Sequence, residues 1–189
     1  MKFHGILFKP ELSKASEEGR KTETRRIMTP KTKLKEVGDI FYERENHWKV
    51  SGGKVSFGDG FTHSYSAGHF FHFKDFAGFA PVEKRKMSKL HMPSWAARKF
   101  YRILEVGIEP LQNITESSAC NEMGIISSLT PIGGFAELWD GINKDRGYCW
   151  NDNPLVIVYR YEKYFKDQWD EETKQAWKEN LERIEANKK

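Results

Sequence analysis

Gly19-Arg20-Lys21-Thr22-Glu23-Thr24-Arg25-Arg26 is the densest cluster of reactive side chains in the sequence. It follows Glu11 to Glu18, where Leu12 and Ala15 predict two helical turns, with Gly19 as the stop. The conformation of the run decides its chemistry. As a regular strand it puts Arg20, Thr22, Thr24 and Arg26 on one face and Lys21, Glu23 and Arg25 on the other, separating Lys21 from Thr24. As a turn it brings residues three apart together, setting a hydroxyl beside an amine. A threonine is a poor nucleophile until a base takes its proton. A lysine whose pKa is lowered by burial and by cations such as Arg20 and Arg26 is such a base. A carboxylate would complete the set by orienting the lysine or relaying the proton to a leaving amine. The bland reading of the same residues is an exposed basic strand or a phosphate-contacting loop.

Working outward, Phe3 to Phe8 reads as an opening strand stopped by Pro10, and Gly38-Asp39 turns into a strand at Ile40 to Glu43. Trp48 to Val50 and Lys54 to Phe57 predict a hairpin about Gly52-Gly53. From His47 to Phe79 the composition departs from its flanks, with nine aromatics, six glycines and four histidines, and about 47–87 reads as an aromatic, β-rich insertion. A long strand follows at Lys99 to Ile108, with Phe100, Arg102, Leu104 and Val106 on one face. Thr115 is placed to cap a helix that ends at Gly124. Phe135, Leu138, Trp139 and Ile142 recur at helical spacing, and Leu155 to Tyr161 is the strongest strand signal in the chain. Trp169, Ala176, Trp177, Leu181 and Ile184 stripe a final helix.

The order of elements predicts an α+β protein. A small curved β-barrel with peripheral helices is the economical arrangement, with a domain over 1–163 and a helical extension over 164–189.

Composition narrows the function classes. The 189 residues carry 31 basic and 27 acidic side chains, a net charge of +4, and no run near the roughly 18 apolar residues that a membrane span needs. The short apolar start does not resemble a signal peptide, so a cytoplasmic location is expected. Cys120 and Cys149, the two cysteines, give neither a disulfide framework nor a zinc knuckle. Charge is locally uneven. Residues 20–26 hold four cations against one anion, and residues 83–102 hold seven against one, which suits an anionic partner if the blocks meet and a solvated surface if they do not.

The Arg-Lys-Thr-x-Thr-x-Arg run at 20–26, reached through a short helix after an opening strand, resembles the ASCH domain (activating signal cointegrator homology). Further motifs agree in order. They are Gly38-Asp39 entering a strand, Arg44-Glu45, Glu109-Pro110-Leu111, Ile114-Thr115-Glu116 opening a helix with Ala119 and Glu122-x-Gly124, and the closing strand at 155–161. His91-Met92-Pro93-x-Trp95-Ala96, Phe135-x-x-Leu138-Trp139-Asp140-x-Ile142-Asn143 and Trp150-x-x-Asn153-Pro154 are similar to the longer ASCH-like proteins of bacteriophage genomes, whose setting would be the host cytoplasm. The resemblance covers roughly 3–45 and 88–163.

It implies a PUA-like barrel, an association with RNA or modified nucleosides, and no cofactor. The best-defined enzymes of the family deacetylate N-acetylated cytidine with a lysine, a threonine and a glutamate. These match Lys21, Thr24 and Glu122, with Glu116 on the same helix as the other carboxylate. Arg20, Arg25, Arg26 and Arg98 are the expected substrate-binding cations. A branch linked to RNA cleavage keeps ribonuclease chemistry open, and a module that binds without turnover needs only the cations and aromatics. The aromatic insertion and the terminal helix have no counterpart in the small hydrolases.

Metal ligation by His63, His69, His72 and Asp75 competes with half-buried hairpin histidines. Extended chain around Gly68 and Phe70 to Phe73 would make His69 and His72 diverge, and no metal site is expected. Glu105, like Glu116, reads by default as a solvent-facing carboxylate. The oligomeric state is not legible in the sequence.

Overall fold

The computed structural model describes residues 1–50, 53–56, 62–65, 70–72, 84–92, 94–125 and 130–186. Two compact units divide the chain. One comprises 1–4, 8–41 and 99–189, and the other 5–7 and 42–98.

The central sheet has five strands in the order β1-β3-β9-β10-β2: β1 (Phe3–Ile6), β2 (Glu23–Ile27), β3 (Ile40–Glu43), β9 (Phe100–Pro110) and β10 (Leu155–Lys163). Ile40 N–H donates to the Lys2 carbonyl and Arg44 N–H to that of Ile6, so β1 and β3 run in the same direction. β10 is antiparallel to both β9 and β2, which makes the sheet mixed. The edge strands β1 and β2 are not neighbours in it. The α+β class matches the expectation, but the barrel is corrected to an open sheet. The parallel β1–β3 pair needs a crossover connection, and α1 (Pro10–Glu17) and β2 lie within it, which leaves β2 on the far edge.

β10 is central because Val156 and Ile157 are fully buried and Val158, Tyr159 and Tyr161 nearly so. Its pairing with β9 slips between Arg160 and Tyr161, where Glu105 and Ile103 are the successive partners and Leu104 is left over. That bulge corrects the alternation expected for β9. Tyr101 and Ile103 enter the core, while Leu104 is half exposed.

Two helices cover one face of β10. α2 (Glu116–Met123) is capped by the Thr115 hydroxyl, which accepts from Ser118 N–H at 3.2 Å, and ends on Gly124 in the left-handed region at φ 69°. A Cβ there would meet that of Ala15 at 2.3 Å, so both backbone and packing demand glycine. α3 (Pro131–Asn143) lays Phe135 and Trp139 against Leu111, Ile114, Ala119, Val156 and Val158. The other face is aromatic. Phe8 packs on Tyr101 and Tyr161, and Phe41 meets Tyr159 edge-on at 5.3 Å. α4 (Glu171–Ala186) docks through Trp177, whose ring centroid is 4.7 Å from Phe3 and 5.4 Å from Phe100, with Trp169 beside it. Residues 164–189 thus belong to the same compact unit as the strands they cover.

In the second unit, β4 (His47–Val50) pairs with β7 (Phe70–His72) and β8 (Lys84–Met87), and β5 (Gly53–Ser56) pairs with β6 (Thr62–Tyr65). The expected β4–β5 hairpin is therefore replaced by longer-range partners. His69 and Asp75 of the metal reading lie outside the described residues, as do the side chains of His63 and His72. Among the described residues no three His, Cys, Asp or Glu side chains converge to hold a metal ion. No helix among them is long and apolar enough to cross a membrane.

Candidate functional site

The chain leaves α1 through Gly19, at φ 76°, and bends so that the N–H groups of Arg20 and Lys21 both donate to the Ala15 carbonyl. Thr22 N–H then donates to the carbonyl of Asn121 on α2, and regular β2 begins only at Glu23. Lys21 thus precedes the strand while Thr24 lies in it, opposite Tyr159. The run is neither one strand nor one turn.

Lys21 is among the most buried residues of the chain, its side chain 0% exposed. Its ammonium donates to the carbonyl oxygens of Glu23 at 2.5 Å and Glu122 at 2.6 Å, and to Oε1 of Glu122 at 3.1 Å. It also sits 5.4 Å from the centre of the Phe8 ring. Burial pulls its pKa below the ordinary lysine value. The charge and hydrogen bond of Glu122 oppose that fall, and Arg26 and Arg25 reinforce it.

The other oxygen of Glu122, Oε2, lies 3.5 Å from Nη1 of Arg25, which also reaches Glu23 Oε2 at 3.3 Å. Nε and Nη2 of Arg25 converge on Glu109 Oε1 at 3.1 and 2.8 Å. Glu23 Oε1 in turn accepts from Asn121 Nδ2 and Arg160 Nε, each at 3.2 Å. The result is a chain of alternating charges across β2, β9, β10 and α2. Each buried carboxylate faces at least one cation, as burial of charge requires.

The structure brings Lys21 and Glu122 into contact. Thr24 is buried too, at 2% exposure, but strand alternation turns it to the face opposite Glu23 and Arg25. Among the described residues, the three partners above account for the Lys21 ammonium, and the Thr24 hydroxyl is not one of them.

Arg25, expected to hold substrate, is 2% exposed and neutralised internally by carboxylates. Arg26 is half-buried, its guanidinium 5.8 Å from the Phe8 ring; burial lowers its pKa and the nearby Glu122 charge raises it. Arg20 bonds the Gly124 carbonyl and Glu18, tying the bend to the end of α2. Arg98 belongs to the second unit, where its Nε donates to Glu45 Oε2 at 2.8 Å. Glu116 lies outside these contacts, whereas Glu105 pairs with Arg160 at 2.6 Å.

Sequence reasoning missed Glu23, Asn121 and Arg160. Glu23 is visible inside the charged run. The other two are legible only once β10 is known to pair with β2 and α2 to pack beside it.

The geometry defines an α+β protein whose charged core sits where an edge strand meets a short helix. No family model and no curated protein matches the chain. Among solved structures it is similar to an ASCH domain from Lactobacillus crispatus JV V101, with a TM-score of 0.47 and 11% identity over 87% of this chain and 80% of that one. It is also similar to protein EF3133 from Enterococcus faecalis V583, described as family-model DUF984, with a TM-score of 0.47 and 12% identity over 87% and 82%. The first carries the family name that the sequence motifs resemble.

Proposed function

We propose that the chain is an ASCH-like protein of the cytoplasm that takes RNA or a modified nucleoside and hydrolyses an N-acyl group, N-acetylcytidine being the type substrate. The observation that carries this reading is the buried Lys21 ammonium held 3.1 Å from Glu122. Burial lowers the lysine pKa, which favours the neutral amine that a general base must be.

In this mechanism Lys21 Nζ takes the hydroxyl proton as Thr24 Oγ bonds to the acyl carbon. The C–N bond then breaks, and the cytosine amine leaves with the proton returned from Lys21. Water attacks the resulting threonyl ester, gives its proton to Lys21, and releases acetate and the free hydroxyl. Glu122 holds the amine in place through these steps, and Arg20 and Arg26 attract the anionic backbone of a longer substrate. Substrate has to draw Thr24 and Lys21 into hydrogen-bond reach, a tightening that the Michaelis complex of such sites provides.

One observation favours a second reading, binding without turnover. Each proton of the Lys21 ammonium already has an acceptor, as a purely structural cation would.

Incubation of the purified chain with N-acetylcytidine separates the two. Release of cytidine and acetate supports hydrolysis. No release, together with RNA binding that weakens steeply with salt, leaves the binding module.

A further inference from the structure

On the face of β2 that carries Glu23 and Arg25, turned away from Thr24, lies a cavity of about 170 Å³. Arg25, Glu105, Glu109, Ser118, Val158 and Arg160 line it, beside the capped first turn of α2. Two arginines and two glutamates cancel in charge, so the cavity favours neither a free anion nor a free cation. Its volume is well below the roughly 300 Å³ at which pockets for drug-sized ligands begin, and suits a single small ring system.

Its hydrogen-bonding groups are unevenly used. Glu109 receives both Arg25 bonds on Oε1, leaving Oε2 without a partner among the described residues. Glu105 binds Arg160 through Oε2, leaving Oε1. Arg160 commits Nε and Nη1 but not Nη2. Ser118 is 6% exposed, its N–H is taken by Thr115, and its hydroxyl has no partner among the described residues. The lining therefore offers carboxylate oxygens that can only accept, opposite a guanidinium N–H that can only donate and a hydroxyl that can do either. Val158 and Ile108 supply apolar surface for a ring face.

We infer that this cavity binds the base of a guanine nucleotide or nucleoside through its Watson–Crick edge. Guanine sets a ring N–H next to an exocyclic amine, two adjacent donors for the carboxylates, with the O6 acceptor left for Arg160 or Ser118. Cytosine and adenine put a ring acceptor beside their amine, which would oppose a carboxylate oxygen. The guanine is either free or one residue of a single strand, the form in which base edges are open to a protein.

The test titrates the full chain, by calorimetry, with guanosine, inosine, inorganic phosphate and a single-stranded oligoribonucleotide containing one guanine. Binding of guanosine or of the oligonucleotide is expected. Inosine, which lacks only the exocyclic amine, should bind at least about tenfold more weakly, and Ser118→Ala should weaken guanosine by about tenfold. Equal binding of inosine and guanosine, competition by phosphate alone, or no binding of either guanine source overturns the proposal. The inosine comparison uses the unaltered protein, so it stands even if Ser118→Ala fails to fold. Binding is read directly and does not depend on turnover of N-acetylcytidine, so either proposal can fail without the other.

Discussion

Oε1 of Glu122 accepts a hydrogen bond from the Lys21 ammonium at 3.1 Å across 101 residues of chain, and both side chains are shut off from solvent. Taking two such charges out of water is costly unless each finds the other, so the contact is a constraint on the fold as well as a feature of the site. Glu122→Ala leaves the Lys21 charge facing only carbonyl oxygens and strips one carboxylate from Arg25. Its expected cost is about 3–5 kcal/mol of unfolding free energy, read from urea denaturation.

Gly124 holds the end of α2 against α1 and against Lys21. An alanine there meets Ala15 at 2.3 Å and Lys21 Cβ at 3.1 Å while also occupying the left-handed region. Gly124→Ala is expected to cost roughly 1–3 kcal/mol from strain alone, with the clash added, and to displace the lysine. Thermal unfolding and the turnover assay should move together in this variant.

Thr115→Ala removes the acceptor for Ser118 N–H at the start of the helix that carries Glu122. About 1 kcal/mol of destabilisation is expected, and Thr115→Ser should restore most of it. Chemical denaturation of the three proteins checks the order.

His4 Nε2 lies 2.9 Å from Asp39 Oδ2, a carboxylate that also receives backbone N–H groups of Lys2 and Glu36. Burial lowers the His4 pKa from 6.5, against the hydrogen bond to Asp39 that raises it, so the folded chain takes up this proton less readily than the unfolded one. As pH falls below 6.5 the unfolded state gains a proton that the folded state lacks, and stability declines until the lowered folded pKa is passed. His4→Gln keeps a donor for Asp39 and should flatten that part of the curve, seen in Tm against pH between roughly 5 and 7.

The elements with short-range signatures were legible in the sequence. Thr115 and Gly124 bracket α2, the apolar run from Leu155 marks the central strand, and Trp169 and Trp177 stripe a helix that must bury them. Lys21 and Glu122 were matched through motif resemblance, and the contact between them belongs to the folded chain. What escaped was set by partners far apart in sequence. Leu104 lost its place on the core face because a bulge opposite Arg160 and Tyr161 reset the alternation. Arg25 reads as a surface cation beside Arg26 until β9 brings Glu109, 84 residues away, to within 2.8 Å of it. The open sheet, too, depends on which edge strands pair, and no local pattern in β1 or β2 encodes that choice.

The measurement that bears most directly on the proposed chemistry is the initial rate of cytidine release from N-acetylcytidine by the native chain and by Thr24→Val, assayed side by side with circular dichroism on both. Valine keeps the shape and branching of threonine and removes only the hydroxyl that attacks. Turnover by the native chain with a loss of about 10²-fold or more in a folded Thr24→Val is the expected result. Release at the native rate by Thr24→Val, or none by either protein, contradicts the account.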